Sequence, residues 1–226
     1  MRLAIVGASG QTGMRIIDAA LERGHAVIGV ARTPEKIRRR HERLDVRRAD
    51  VFDAAALTGA LAGADAVLTS IGKTNLCEKT PPFNTVSHRN VLEAMTANGI
   101  ERLVAISSFG AAPAKRKGLR RRLYLFLRRK YYGDMRAMER LVLNAPGITT
   151  VVRAPMLHNR PPRHDWILTA DGSLPAGLAI SRDDLADYLL DELENGVHRG
   201  CIVALADEGD EAPSFSELRP PPTERE

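Results

Sequence analysis

The first thirteen residues, MRLAIVGASGQTG, constrain this chain more than any other stretch. Leu3, Ala4, Ile5 and Val6 are apolar without alternation, as a strand covered on both faces requires. Gly7, Gly10 and Gly13 follow at three-residue spacing, and Met14, Ile16, Ile17, Ala20 and Leu21 then fall at helical spacing before Gly24. A buried strand therefore turns on glycines straight into a helix.

That geometry has a chemical consequence. A helix entered in this way presents unpaired N–H groups and a partial positive charge, a natural seat for a pyrophosphate. Ser9, Gln11 and Thr12 can add side-chain donors. A second strand, HAVIGVA over residues 25–31, ends at Arg32, followed by Thr33 and Lys36. An acid at that place would hold ribose hydroxyls, whereas an arginine suits a 2′-phosphate through bidentate bonds, so NADP(H) is favoured over NAD(H). The bland alternative is a solvated arginine at a strand end.

Further strand and helix patterns alternate along the chain. Residues 34–40 read as a short basic helix, residues 44–49 as a third strand, and residues 65–70 (DAVLTS) as a fourth. Asp50, followed by Val51, is placed either to accept from an adenine amino group or to cap the helix that begins near Asp53. Ile71 and Gly72 follow the fourth strand, where open α/β sheets place their ligands. Residues 73–82 read as an irregular loop, residues 84–97 as a helix, and residues 102–107 as a fifth strand ending at Ser107 and Ser108. Residues 149–153 make a sixth strand and residues 201–205 a last one. Successive strand and helix units imply a single-domain α/β protein with a Rossmann-type, doubly wound parallel sheet over residues 1–206. A hydroxyl of the Ser107–Ser108 pair would lie at the reactive edge, where it can orient a carbonyl or carboxamide.

Composition narrows the remaining choices. Forty-four per cent apolar residues in 226 suffice for one large core, and no apolar run is long enough for a membrane span. Met1 leads directly into the strand, so a cytoplasmic location is expected. Cys77 and Cys201 lack metal-site spacing, and neither zinc nor a disulfide framework is expected. The net charge of +5 is uneven, because residues 207–226 hold seven acids against Arg219 and Arg225. The body is basic, and its acidic, proline-rich tail has the composition of a flexible segment.

Several stretches together resemble one family. IVGASGQTG, Arg32, Asp50-Val51, SIG (70–72), VAISSFG (104–110), the segment 134–139 leading into GITTVVRAP, and ISRDDLADYLL (180–190) resemble the NAD(P)H-binding, NmrA-like group of atypical short-chain dehydrogenases/reductases, in particular its flavin-reductase branch. The resemblance implies that Gly7, Ser9, Gly10, Gln11, Thr12 and Gly13 hold the pyrophosphate, Arg32 the 2′-phosphate, and Asp50 and Val51 the adenine. Ile71, Gly72, Ser107, Pro155 and Met156 would line the nicotinamide end, with Ser108 as the candidate catalytic group. Met156 replaces a histidine of that branch, and the segment 111–132 is longer and more basic.

No tyrosine is followed four residues later by a lysine; the nearest approach is Tyr132 with Arg136, and a guanidinium titrates too high to exchange protons. Tyr132 is read as a packing residue. The expected activity is hydride transfer from NADPH to a planar acceptor such as a flavin or quinone, which needs positioning and exclusion of water more than an acid. The alternative is a dinucleotide-binding redox sensor without turnover; an epimerase fits less well. Residues 115–130 carry nine basic residues on an amphipathic helical pattern, read as packing on the body before contact with an anionic membrane or an acidic partner, and nucleic acid is not expected. Arg153 is read as a structural ion-pair partner, Asp183 and Asp184 as capping acids, and His158 and His164 as exposed rim residues. A monomer or homodimer fits these features.

Overall fold

The computed structural model describes residues 1–72, 82–112, 128–173 and 179–207. The apolar run at the start forms β1 (Arg2–Val6) at the centre of the sheet, hydrogen-bonded in parallel to β2 (Ala26–Ala31) on one side and β4 (Ala66–Thr69) on the other. β3 (Leu44–Arg48), β5 (Arg102–Ser108), β6 (Ile148–Ala154) and β10 (Cys201–Asp207) extend it, and β8 (Trp166–Thr169) closes one edge antiparallel to β10. The order is β3-β2-β1-β4-β5-β6-β10-β8, and β7 (Met156–His158) pairs with β9 (Ala179–Ser181) in a small separate sheet. The chain order reverses beside β1, which opens a crevice at the carboxyl ends of β1 and β4.

Helices cover both faces. Alternate residues of β1 explain the division: Leu3 and Ile5 pack with Ile16 and Ile17 of α1 (Gln11–Glu22) and with Leu185 and Leu189 of α5 (Arg182–Asn195). Ala4 and Val6 face α2 (Ala54–Leu61), α3 (Phe83–Ala97) and α4 (Arg129–Leu143), through Leu57, Val91 and Met138. The doubly wound α/β reading holds.

Some local expectations change. Residues 34–40 do not form a helix; Pro34–Lys36 is a single 3₁₀ turn, after which buried Ile37 leaves on an extended path beside Gly29. Apolar burial of Ile37 against β2 overrides the helical propensity of the arginines that follow. Residues 154–164, read as loop, contain β7. Asp207 ends β10 and is buried, so the strand runs one residue into what reads as tail. The loop 73–81, most of the basic stretch 115–130, and residues 208–226 lie outside the described residues. Among the described residues no helix is long and apolar enough to cross a membrane, and no group of three metal-ligating side chains gathers.

Candidate dinucleotide site

The glycine turn is dictated by space at two of its three glycines. Gly7 sits at φ +91°, and a Cβ there would lie 2.4 Å from the Ser70 carbonyl oxygen. A Cβ on Gly13 would lie 2.4 Å from the Gly7 carbonyl oxygen, so this glycine lets α1 press on the strand end. Gly10 is different. It has ordinary backbone angles, is exposed, and a Cβ there would meet only the Gly7 carbonyl oxygen, at 3.3 Å. The fold barely requires glycine at position 10, whereas close approach of a ligand to the backbone does.

The helix end supplies the donors. The N–H of Met14 is the first of α1 to reach a backbone carbonyl, that of Gly10 at 2.9 Å, which leaves those of Gln11, Thr12 and Gly13 over. No side chain caps the helix and no acid stands in its first turn. An anion is therefore the natural complement of this end, and the residues present fit a dinucleotide diphosphate.

At the other end of the crevice, the backbone pairing around Asp50 and Val51 leaves a selective pair of groups. The Asp50 carbonyl accepts from Asp53 N–H, and its Oδ1 accepts from Phe52 N–H at 2.9 Å, while the Val51 carbonyl accepts from the Asn90 side chain at 2.9 Å. Asp50 Oδ2 and the Val51 N–H remain, an acceptor beside a donor, as the amino group and ring nitrogen of adenine require. The helix cap is instead Asp53, whose side chain accepts from Ala56 N–H. Arg32 is exposed just beyond β2 and its guanidinium bonds no other described residue; neighbouring Arg48 donates to the Arg32 carbonyl and pairs with Glu35. Lys36 and Arg38 are also exposed and pair with no described residue.

The two serines at the end of β5 part company. Ser107 is buried and donates to Glu139 Oε1 at 2.7 Å, so its hydroxyl proton is engaged inside the protein. Glu139 in turn takes two bonds from Arg153, at 2.8 and 2.7 Å, and Arg153 also donates to the Gly172 carbonyl. Arg153 is thus a structural partner, as expected. Ser108 projects to the opposite face, is half-buried, and among the described residues receives only a long bond from Gly110 N–H at 3.4 Å. Tyr132 on the first turn of α4 lies against Gly110, where a Cβ would fall 2.0 Å from the ring, and its ring is buried. Its packing role is thereby explained.

Around Ser108 the edge is open. Ile71 is half-buried and Gly72 exposed, with nothing within 4 Å of where its Cβ would be. Pro155 is half-buried and Met156 is 43% exposed, an unusual state for a methionine and a ready apolar surface for a planar group. Behind the edge, His88 is fully buried; its Nε2 meets the Thr69 hydroxyl at 3.0 Å and its Nδ1 the Asn84 carbonyl at 2.9 Å. Burial lowers its pKa to about 4, so the ring is neutral.

Two histidines of the rim behave unlike each other. His158 is buried, not exposed, and its Nε2 bonds Asp207 Oδ2 at 2.8 Å, while Nδ1 accepts from Arg160 N–H. His164 is exposed. Asp184 stands at the helix start as expected, exchanging bonds with the N-cap Ser181, and its buried carboxylate also accepts from Arg163 and His164 N–H, pinning the β7–β8 connection. Asn159, Arg182 and Glu139 escape sequence reasoning as site neighbours. Only the helix-start pattern around Arg182 signals any of them.

A family model described as NAD(P)H-binding matches residues 7–196. Cinnamoyl-CoA reductase 1 of rice is 33% identical over 117 residues (48% of this chain, 35% of the rice protein), and quinone oxidoreductase 2 of Escherichia coli is 32% identical over 120 residues (52% and 40%). The chain spans less than half the length of either relative. Among solved structures, the anaerobilin reductase ChuY of Escherichia coli O157:H7 superposes with a TM-score of 0.77 at 16% identity (95% of this chain, 100% of that one). A short-chain dehydrogenase/reductase of Veillonella parvula in complex with NADP gives 0.76 at 18% identity (95% and 99%). These structures share the fold. With the matched model running from the glycine turn through the last helix, over most of the doubly wound domain, the chain belongs to the NAD(P)H-binding family.

Proposed function

We propose that the protein is a cytoplasmic, NADPH-dependent reductase that passes a hydride to a planar acceptor, a flavin or quinone. One observation carries it: among the described residues, the edge beside Ser108 is open and apolar at Pro155 and Met156, and Tyr132 is packed on Gly110 with Arg136 in place of a lysine. Such an edge positions a flat ring and offers little for acid–base work on an alcohol. The quinone and anaerobilin reductases among its relatives and structural neighbours support this choice.

The bound dinucleotide supplies the hydride. The chain's own part is placement. N–H groups of α1 hold the diphosphate, Asp50 and Val51 the adenine, and the unpaired Arg32 the 2′-phosphate, which sets the preference for NADPH. Pro155 and Met156 cover the ring face and keep water off it, while Ser108 orients a polar substituent of the acceptor or of the cofactor. Oxidation of NADPH by purified protein with FMN, riboflavin and a simple quinone tests the proposal. Acceptor-dependent turnover supports it. Tight NADPH binding with no turnover of any acceptor supports instead a redox sensor, a reading that Met156 in place of a histidine favours.

A further inference from the structure

Gln11 at the start of α1 is tied to a second basic element. Its side-chain carbonyl accepts from the Asn159 amide at 3.4 Å, and the Asn159 carbonyl accepts from a terminal nitrogen of Arg182 at 3.0 Å. Asn159 directly follows β7 and Arg182 directly follows β9; these strands pair in register, so the small sheet sets both side chains beside the turn.

The Arg182 guanidinium is poorly compensated there. Its Nε is buried without a partner, and its second terminal nitrogen bonds no described residue. The charges acting on it are Arg15, which repels, and Asp183, which attracts but is shared with Arg15 at 3.4 Å. Asp184, next in sequence, is spent on Arg163 and His164. Burial and Arg15 hold the Arg182 pKa below its ordinary value. A half-buried cation with an orphaned donor, beside a second cation, costs free energy in the protein alone, and an arriving anion offsets that cost.

We propose that Arg182, braced by Asn159, is a second anchor for the diphosphate of the bound dinucleotide, complementing the N–H groups of α1. The proposal rests on dinucleotide binding by this family and adds a ligand from a distant element. A guanidinium suits the task because its fork bonds two phosphate oxygens at once.

Calorimetric titration of ADP-ribose, NADH, NADPH and 2′-AMP against wild type, Arg182→Gln, Arg182→Lys and Asn159→Ala tests it. Arg182→Gln should weaken ADP-ribose, NADH and NADPH by a common factor of about ten, as loss of a charge-assisted pair does. Binding of 2′-AMP, which has no diphosphate, should not change. Arg182→Lys should recover part of the loss, and Asn159→Ala, which keeps every charge, should weaken the same three ligands by a smaller factor. The salt dependence of ADP-ribose binding should be shallower in Arg182→Gln than in wild type. Unchanged ADP-ribose affinity in both Arg182→Gln and Asn159→Ala would overturn the proposal, as would an equal loss for 2′-AMP. A defect confined to the KM of an anionic acceptor would assign the guanidinium to the substrate and equally overturn it. A wild-type protein that takes none of the four ligands would remove the dinucleotide reading itself, and this proposal with it.

Discussion

The three glycines of the turn are alike in sequence and unlike in what they do. Gly13→Ala places a methyl group 2.4 Å from a backbone oxygen, and the helix must move to admit it. We expect a loss of about 1–3 kcal/mol in urea-induced unfolding, the usual cost of overpacking. Gly10→Ala meets only one contact, at 3.3 Å, so stability should change by less than about 1 kcal/mol while NADPH affinity drops about tenfold. The pair of measurements separates a glycine kept for packing from one kept for ligand approach. Arg32 is a residue-scale matter too. Because no other described residue shares its guanidinium, Arg32→Ala should weaken NADPH about 10- to 100-fold, leave NADH nearly unchanged, and leave the melting temperature where it was.

Elements join at the carboxyl edge through polar groups. The Asp134 carboxylate on α4 accepts from the N–H groups of Asn84 and Thr85 and from both their side chains, so it caps α3 from a neighbouring helix. Asp134→Ala should cost about 1–2 kcal/mol, as loss of a helix cap does, and should loosen the α3–α4 contact, read as faster amide exchange in the first turn of α3. His88, on the same helix, makes stability depend on pH. Its folded pKa of about 4 lies below the unfolded value, so the unfolded chain takes up a proton first and acid favours unfolding. Stability should fall between about pH 6.5 and pH 4, by on the order of 3 kcal/mol at the lower end, and His88→Gln should flatten that part of the profile. Glu192, held below the ordinary carboxylate range by His198, Thr150 and Arg102 despite its burial, extends the loss to lower pH.

Across the whole molecule, buried ion pairs bind layers that are far apart in sequence. Glu139 on α4 and Arg153 on β6 sit under the reactive edge, and Arg102 with Glu192 ties β5 to α5 at the opposite end of the sheet. Removing one partner strands a buried charge: Arg153→Met should cost about 3–5 kcal/mol, and the double change with Glu139→Gln should cost less than the sum of the two single changes. Comparison of the three unfolding curves checks this. The doubly wound parallel sheet and the turn were legible in the chain, since each depends on contiguous patterns: apolar runs, helical periodicity, and glycines where a strand meets a helix. The positions of Arg32, Asp50 and Val51 at the carboxyl ends of β2 and β3 were legible for the same reason, since the place of those strands follows from the alternation. The company kept by side chains at the reactive edge was not. Ser107 and Ser108 look equivalent in a row of letters, yet the alternation of β5 and the helix packed on it send one to Glu139 and leave the other at the open edge. His158 reads as a loop histidine and is buried on Asp207, while Arg182 reads as a helix start and stands beside the phosphate turn. The sequence by itself determined the main parallel strands, the helices between them and the cofactor class, because those follow from local periodicity and turn chemistry. Tertiary structure alone decided which polar groups are spent and which are free, because partners from 14 to 168 residues apart meet through strand register and helix packing, which no local pattern encodes.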